Sequence, residues 1–214
     1  MIIPARYNGP PGTGNGGYSA GVFAGGSASE VTLRRPPPLD TPFSLVDDEI
    51  RAPDGEVVAK LGPAADVDVA VPPVAYDEAV RAAEGYAGFA EHPFPTCFVC
   101  GTDRDDGLRI FPGRLADDTV AAPWTVPADV APATMWAALD CPGGWAVVGP
   151  AGRPYVLGRM AARVHRIPEP GEQCVVRGAL ASAEGRKALV HSTVYGSDGA
   201  ELARARATWI AIAG

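Results

Sequence analysis

The spacing of hydrophobic positions changes along the chain and separates helical from extended segments. Residues 17–25 place apolar side chains at helical spacing among small residues, and residues 76–89 alternate an apolar face with charges. Residues 133–148 are mostly apolar and also predict a helix, although Pro142, Gly143 and Gly144 interrupt it. We therefore predict three helices, of which the third should be kinked by Pro142 and the two glycines after it.

Shorter runs rich in β-branched and aromatic residues, bounded by Gly, Pro and Asp, predict strands. These runs are residues 2–5, 30–35, 43–46, 56–61, 108–111, 119–124, 155–166, 173–181, 188–195 and 201–212. Turn sequences such as Pro53-Asp54-Gly55 separate them and indicate hairpins. Few helices and many strands joined by short turns favour an α+β fold with antiparallel sheet.

The two halves of the chain repeat one order: a loop, a helix of small residues and a meander of strands. Three short matches recur after nearly the same number of residues. They are Gly16-Gly17-Tyr18 with Gly143-Gly144-Trp145, Leu33-Arg34-Arg35 with Val164-His165-Arg166, and Asp54-Gly55 with Glu184-Gly185. A helix and a meander that both need to bury an apolar face should pack together, and joining two such sheets covers an edge strand. Two unrelated α+β halves are the alternative.

Composition narrows the function classes. The chain of 214 residues is 47% hydrophobic, which argues against intrinsic disorder, and its formal charge of −7 argues against a general nucleic-acid binder. No run approaches the roughly 20 apolar residues of a membrane helix, and the first residues lack the features of a signal peptide. We therefore expect a cytoplasmic protein whose four cysteines stay reduced.

Four motifs resemble the hotdog-fold acyl-CoA thioesterase and dehydratase superfamily, and together they span most of the chain. They are residues 14–20 (GNGGYSA), 97–101 (CFVCG), 107–109 (GLR) and 136–140 (WAALD). The resemblance implies a double hotdog: two antiparallel curved sheets, each wrapped around a central helix. The first repeat would occupy residues 1–75, a connector helix residues 76–95 and the second repeat residues 96–214, together forming one compact unit.

The resemblance also implies a site between the two copies. In the family, a His-Gly-Gly motif starts the central helix, an acidic residue lies further along it, and the motif of one copy meets the acid of the other. Here Asn15-Gly16-Gly17 takes the place of that motif, while Ala24 stands at the acidic position of the first copy. Asp140 fills the acidic position of the second copy, where Ala131-Pro132 no longer matches the motif. One site per chain follows.

The chemistry implied for this site is thioester hydrolysis. The amides of Gly16 and Gly17, at a helix N-terminus, would polarise the carbonyl, and Asp140 would activate water or attack the carbonyl itself. Asn15 would hydrogen-bond to water or the carbonyl. The match of Gly143-Gly144 with the first glycine pair instead places Asp140 just before a helix, as an N-cap with no catalytic role.

Further residues are candidates for substrate binding. Tyr18 and Trp136 are expected to contact the substrate, and Arg34, Arg35 and Arg166, near the ends of paired strands, suit the phosphates of coenzyme A. A solvated sheet rim is the other reading of these arginines. The expected partner is an acyl-CoA or another thioester, with no cofactor, no nucleic acid and no membrane; pairing of two chains into a homodimer stays open.

Two other functions and one other site are compatible with the sequence. A non-catalytic binder of acyl-CoA or another hydrophobic ligand would also carry degenerate motifs, and an enoyl-thioester hydratase is less favoured because no histidine accompanies Asp140. Cys97 and Cys100 have the spacing of zinc ligands, but a structural zinc normally takes four. Because His92, Cys141 and Cys174 are scattered along the sequence, we expect no metal and structural cysteines.

Overall fold

The computed structural model describes residues 1–27, 29–63, 66–148 and 153–212. Within these ranges the chain forms three α-helices: α1 (Gly16–Ala24), α2 (Tyr76–Glu84) and α3 (Pro132–Val147). Short 3-10 helices cover Ala5–Tyr7 and Ala87–Phe89. The ten strands are β1 (Glu30–Leu33), β2 (Ser44–Val46), β3 (Glu49–Arg51), β4 (Val57–Gly62), β5 (Gly113–Arg114), β6 (Val120–Thr125), β7 (Tyr155–Val164), β8 (Gln173–Glu184), β9 (Lys187–Tyr195) and β10 (Glu201–Ala211).

All ten strands belong to one antiparallel sheet with the order β2-β3-β4-β1-β7-β10-β9-β8-β6-β5. The strands of the first half lie together at one side, and β1 pairs with β7 of the second half, with Val31 opposite Met160. The prediction of an α+β chain with antiparallel sheet is confirmed, and the strands form one large sheet where two curved sheets were expected. The β1–β7 junction pairs two strands that would otherwise be edges.

Helices α1 and α3 pack against each other and against one face of the sheet. Both are apolar on nearly all sides, so neither can face water, and the sheet supplies the surface that buries them. Helix α2 covers the opposite face, where Ala79 packs with Ala121 and Val175.

In the part of the chain that the structure describes, no helix is long and apolar enough to cross a membrane.

The two halves share backbone details. The N–H groups of Arg34 and Arg35, after β1, both donate to the carbonyl of Val58, at 2.8 and 3.4 Å. After β7, those of His165 and Arg166 donate in the same way to the carbonyl of Leu202, at 2.8 and 3.1 Å. The structure therefore keeps the sequence match of Leu33-Arg34-Arg35 with Val164-His165-Arg166.

The turn after β3 has its counterpart after β9. Asp54 Oδ1 accepts the N–H of Glu56 at 3.0 Å, and Asp198 Oδ1 accepts that of Ala200 at 2.9 Å. Each aspartate also pairs with an arginine two residues beyond the equivalent strand, Asp54 with Arg35 and Asp198 with Arg166. The match of Asp54-Gly55 with Glu184-Gly185 was therefore wrong, because the latter turn joins β8 to β9.

The match of Gly143-Gly144 with Gly16-Gly17 was also wrong. Helix α3 begins at Pro132 and runs continuously to Val147, so the second glycine pair lies near its end, whereas the first pair begins α1. Pro142 lies within the helix and does not break it. In the turn before Pro142, the carbonyl of Leu139 accepts a hydrogen bond from the hydroxyl of Ser192 at 2.6 Å. The N-cap residues of the two helices, Asn15 before α1 and Ala131 before α3, are the true counterparts.

Three local predictions were wrong. Residues 2–5 are not a strand; the chain instead enters a 3-10 helix at Ala5. Residues 108–111 are not a strand of the sheet, because the N–H groups of Leu108 and Ile110 donate to the carbonyls of Phe98 and Val99 in the preceding loop. Strands β3 and β5 were missed because they have only three and two residues, and neighbouring strands supply their pairing.

Candidate functional site

Asp140 lies in the interior of α3, on the side that faces the first turn of α1. Its side chain is 2% exposed. Oδ2 accepts the backbone N–H of Gly17 at 2.8 Å and the side-chain amide of Asn15 at 3.2 Å. The N-cap interpretation of Asp140 was wrong, and the acidic group of one half meets the glycine motif of the other, as the resemblance implied.

Asn15 fixes the start of α1. As N-cap, its Oδ1 accepts the N–H of Tyr18 at 2.9 Å, which satisfies one donor that the first helical turn leaves free. Its Nδ2 donates to Asp140 and also lies 3.8 Å from Cys97 Sγ and 3.9 Å from Cys141 Sγ. Both ends of the Asn15 amide are thus engaged by the protein.

Glycine permits the close contact between the two helices. A Cβ at Gly17 would lie 2.4 Å from the Cβ of Asp140 and 2.6 Å from the carbonyl of Trp136, and one at Gly21 would lie 2.8 Å from the Cα of Ala133. Real side chains do not approach so closely. The small residues that made α1 look like a close-packed helix in the sequence are what bring Asp140 to the helix N-terminus.

A cavity of about 250 Å³ opens beside this contact. It lies between the N-terminus of α1, the second half of α3, the start of β7 and the loop before Cys97. Its apolar wall includes Leu33, Phe94, Trp145, Tyr155, Leu157, Trp209 and Ile210. Asn15, Gly16, Asp140, Arg34 and Arg35 add polar groups to this wall.

The polar atoms of this wall are not all satisfied. Among the described residues, Asp140 Oδ1, Trp209 Nε1 and Arg35 Nε are buried and have no hydrogen-bond partner. The N–H of Gly16, at the first position of α1, also has no acceptor among them. Because buried polar groups are nearly always paired, a cluster of free donors and a free acceptor on one cavity wall marks a place for a polar ligand or water.

Burial changes the protonation of Asp140. Desolvation raises its pKa to about 7, and the hydrogen bonds from Gly17 and Asn15 only partly oppose this shift. A carboxyl with a pKa near neutrality can both take up and release a proton at physiological pH. Groups with such values are concentrated at functional sites, which adds to the geometric case for this one.

The two motif glycines have different surroundings in the structure. The amide of Gly17 is occupied by Asp140 Oδ2, so in this structure it holds the carboxylate. Gly16 lines the cavity with its N–H free, and a Cβ there would lie 2.7 Å from the Cβ of Leu157. Of the two amides that the sequence assigned to the carbonyl, Gly16 is the one that can meet it.

Of the predicted substrate-binding residues, some line this cavity and others do not. Arg34 and Arg35 line the cavity. Tyr18 does not line it; its ring stacks on Tyr7, with centroids 3.8 Å apart. Trp136 and Arg166 line a second cavity of about 380 Å³ near the N-terminus of α3, so they do not line the cavity that contains Asp140.

Sequence reasoning missed a cluster of sulfur atoms at the same wall. The Sγ atoms of Cys97, Cys100 and Cys141 all lie within 4.8 Å of one another, and His92 Nε2 is 3.4 Å from Cys100 Sγ. His92 and Cys141 are therefore not scattered in space, although Cys174, on β8, does lie apart. The only signal in the sequence was that Cys141 directly follows Asp140 in the same helix, and the structure places both at the cavity.

No protein-family model and no curated protein matches the chain. Among solved structures, protein RHA08564, a thioesterase superfamily protein, is 20% identical with a TM-score of 0.49, covering 58% of this chain and 64% of its own. The PaaI protein from the E. coli phenylacetic acid degradation operon is 13% identical with a TM-score of 0.48, covering 65% and 96%. A hypothetical thioesterase from Streptococcus pneumoniae TIGR4 with coenzyme A is 11% identical with a TM-score of 0.43, covering 47% and 84%. The first of these neighbours is a thioesterase superfamily protein and the third a hypothetical thioesterase, and each of the three covers only part of this chain.

Proposed function

We propose that the chain hydrolyses an acyl-CoA or a related thioester, with Asp140 as the base. One observation carries this proposal: an unpaired carboxylate oxygen of Asp140 and the free N–H of Gly16 belong to the same cavity wall. Hydrolysis of a thioester needs one group to take a proton from water and another to stabilise the oxyanion. Here the two groups come from the two halves of the chain.

The reaction uses these groups in order. The thioester carbonyl accepts a hydrogen bond from Gly16 at the positive end of α1, which stabilises the negative charge that develops on its oxygen. Water attacks the carbonyl carbon and gives its proton to Asp140 Oδ1. The C–S bond then breaks, and the departing thiolate takes up that proton, leaving a carboxylic acid and a free thiol. The Gly17 and Asn15 donors hold the carboxylate in place throughout.

The cavity fits the two parts of such a substrate. Its aromatic and aliphatic wall suits an acyl group, and Arg34 and Arg35 offer guanidinium groups for the phosphates of a carrier such as coenzyme A. Arg34 is exposed, and Arg35 is half-buried with a salt bridge to Asp54. Arg166 does not line this cavity and has no part in this proposal.

The same proposal includes the architecture. The chain is a double hotdog, with a first repeat in residues 1–75, a connector in 76–95 and a second repeat in 96–214. The shared hydrogen bonds after β1 and β7, and after β3 and β9, support a duplication. The continuous sheet across β1 and β7 supports one unit in place of two separate domains.

A non-catalytic binder of acyl-CoA is the second candidate, and the state of Asn15 favours it. Both polar ends of its side chain are engaged within the protein, and an amide cannot exchange a proton at neutral pH as a histidine would. Such a protein would keep the cavity and its arginines while lacking turnover.

The test is a thioesterase assay on purified protein over short, medium, long-chain and aromatic acyl-CoAs, beside Asp140→Asn. Asparagine keeps the size of the side chain and an oxygen for the Gly17 N–H, but it cannot take a proton. We expect turnover to fall by about 100-fold or more. Asp129→Asn, the same change at a surface carboxylate that pairs with Arg6, is the matched control and should leave turnover unchanged.

The outcomes separate the candidates. Turnover that survives in Asp140→Asn would remove Asp140 from the proposal. Absence of turnover in the native chain, with tight binding of acyl-CoA in calorimetry, would make the protein a binder. If neither turnover nor binding is found for any acyl-CoA, both candidates are wrong. In the binding assay, Arg35→Ala should weaken the binding of coenzyme A more than Arg166→Ala does. The reason is that, of these two arginines, only Arg35 lines this cavity.

A further inference from the structure

Three thiols from distant parts of the chain meet at the wall of the cavity. Cys97 and Cys100 come from the loop before residue 101, and Cys141 comes from α3. All three are buried and free, and their Sγ atoms lie within 4.8 Å of one another. Buried cysteine can simply fill space like a small apolar residue, so the arrangement needs closer inspection.

The spacing of the sulfur atoms matches that of metal-bound thiolates. Zinc binds sulfur at about 2.3 Å with tetrahedral geometry, which puts two bound sulfurs about 3.8 Å apart. Cys97 Sγ and Cys141 Sγ are 3.8 Å apart. An ion of this size fits among the three sulfurs with little movement of the side chains.

The loop that carries two of the thiols is closed by a glycine. The N–H of Gly101 donates to the carbonyl of Cys97 at 2.9 Å, and a Cβ at Gly101 would lie 2.5 Å from the carbonyl oxygens of Cys97 and Pro95. Only glycine fits this turn, which folds the chain back so that Cys97 and Cys100 present their sulfur atoms to the same side.

Hydrogen-bond donors surround the sulfur cluster. Asn15 Nδ2 lies 3.8 Å from Cys97 Sγ and 3.9 Å from Cys141 Sγ. His92 Nδ1 accepts the N–H of Phe94, so its proton is on Nε2, which points at the carbonyl and the sulfur of Cys100. Donors placed around thiolates in this way are the outer shell that metal–sulfur sites require.

We propose that Cys97, Cys100 and Cys141 bind one Zn²⁺ ion per chain as thiolates, with the fourth coordination position open to the cavity. Three protein ligands with an open position are typical of zinc sites that contact a substrate or water, whereas four protein ligands close a structural site. His92 acts as a hydrogen-bond donor to Cys100 and not as the fourth ligand. This inference goes beyond the proposed hydrolysis and does not depend on it.

The test is metal analysis of the full chain expressed with zinc and desalted, followed by cobalt substitution. We expect one zinc per chain, and a Co²⁺ form with intense thiolate-to-metal absorption in the near ultraviolet and visible bands of tetrahedral cobalt. Cys97→Ser and Cys141→Ser should weaken zinc binding by more than the roughly 10- to 100-fold expected for loss of an outer-shell partner. Cys174→Ser, at a buried cysteine outside the cluster, is the matched control and should keep full occupancy.

A second measurement protects the test against variants that do not fold. X-ray absorption on the native zinc protein should give three sulfur neighbours at about 2.3 Å and one lighter neighbour. Metal-free protein with four titratable thiols after zinc incubation would overturn the proposal, as would loss of two thiols to a disulfide. Loss of zinc in His92→Ala would overturn the three-thiolate assignment. Turnover of acyl-CoA is measured separately, so failure of either proposal is distinguishable from failure of the other.

Discussion

The N-termini of α1 and α3 are equivalent in the fold, but their chemistry differs. Helix α1 begins with Asn15-Gly16-Gly17 and faces Asp140 of the other helix. Helix α3 begins with Ala131 and Pro132, and the residue of α1 that corresponds to Asp140 is Ala24. Proline has no N–H to offer a ligand, and alanine has no acidic group. Of the two helix starts, only that of α1 therefore combines amide donors with an acidic group on the facing helix.

The comparison shows why only one of the two helix starts lies at the candidate site. A helix start of this kind needs an acid from the facing helix, and only the start of α1 has one. The cavity beside α1 contains Asp140, whereas the cavity beside α3 contains Pro132 and Trp136.

The largest effect is expected from placing an acid opposite the start of α3, in the way that Asp140 lies opposite the start of α1. Ala24→Asp would bury a carboxylate at a position that is 3% exposed, opposite a helix whose N-cap, Ala131, has no side-chain amide to donate to it as Asn15 does to Asp140. An uncompensated buried charge should lower the free energy of unfolding by about 3 to 5 kcal/mol. Urea denaturation at pH 7 measures this change. Stability equal to that of the native chain would show that the second helix start does supply donors, and that the two halves differ less than we infer.

A smaller loss is expected from separating the two helices. Gly17→Ala places a methyl group against Asp140 and the carbonyl of Trp136, so α1 must move away from α3. We expect a loss of about 1 to 3 kcal/mol in the free energy of unfolding. The control is Gly62→Ala, whose Cβ would meet its first neighbour at 3.6 Å and should change stability by less than about 0.5 kcal/mol. Equal effects in chemical denaturation would contradict the close-contact argument.

The smallest effect concerns the two N-caps. Asn15→Ala removes the acceptor for the N–H of Tyr18 and should cost about 1 kcal/mol in unfolding free energy. Ala131→Asn introduces a cap at the equivalent, exposed position of α3, which has none from a side-chain acceptor, and should gain a similar amount. Thermal denaturation of both variants measures the expected loss and the expected gain in stability. Unchanged stability in Asn15→Ala would mean that Asn15 serves the site and does not stabilise the helix as a cap.

Much of the fold follows from local patterns in the sequence. Small residues at helical spacing predict α1, and long alternating runs predict β7 to β10, because side-chain period sets which face of an element can be buried. The fold class follows from the order of these elements. The short β3 and the irregular segment at 108–111 were mispredicted because backbone pairing with neighbouring segments decides them, and side-chain type alone does not.

The candidate site was only partly within reach of the sequence. Asp140 and Asn15-Gly16-Gly17 were found through motif position, but their contact depends on how closely two helices pack, which Gly17 and Gly21 decide in three dimensions. The separation of Arg35 from Arg166 follows from the same symmetry, since the two residues are equivalent and therefore lie at different cavities.

The sequence by itself determined which elements form and which residues carry chemistry, since both depend on side-chain type and spacing. Only the tertiary structure decided which of these residues meet. It joined Asp140 to the start of α1, brought Cys141 to Cys97 and Cys100, and placed Trp136 and Arg166 at a different cavity. The physical reason is that packing of buried helices and sheets fixes distances between residues far apart in the chain, and no local pattern encodes those distances.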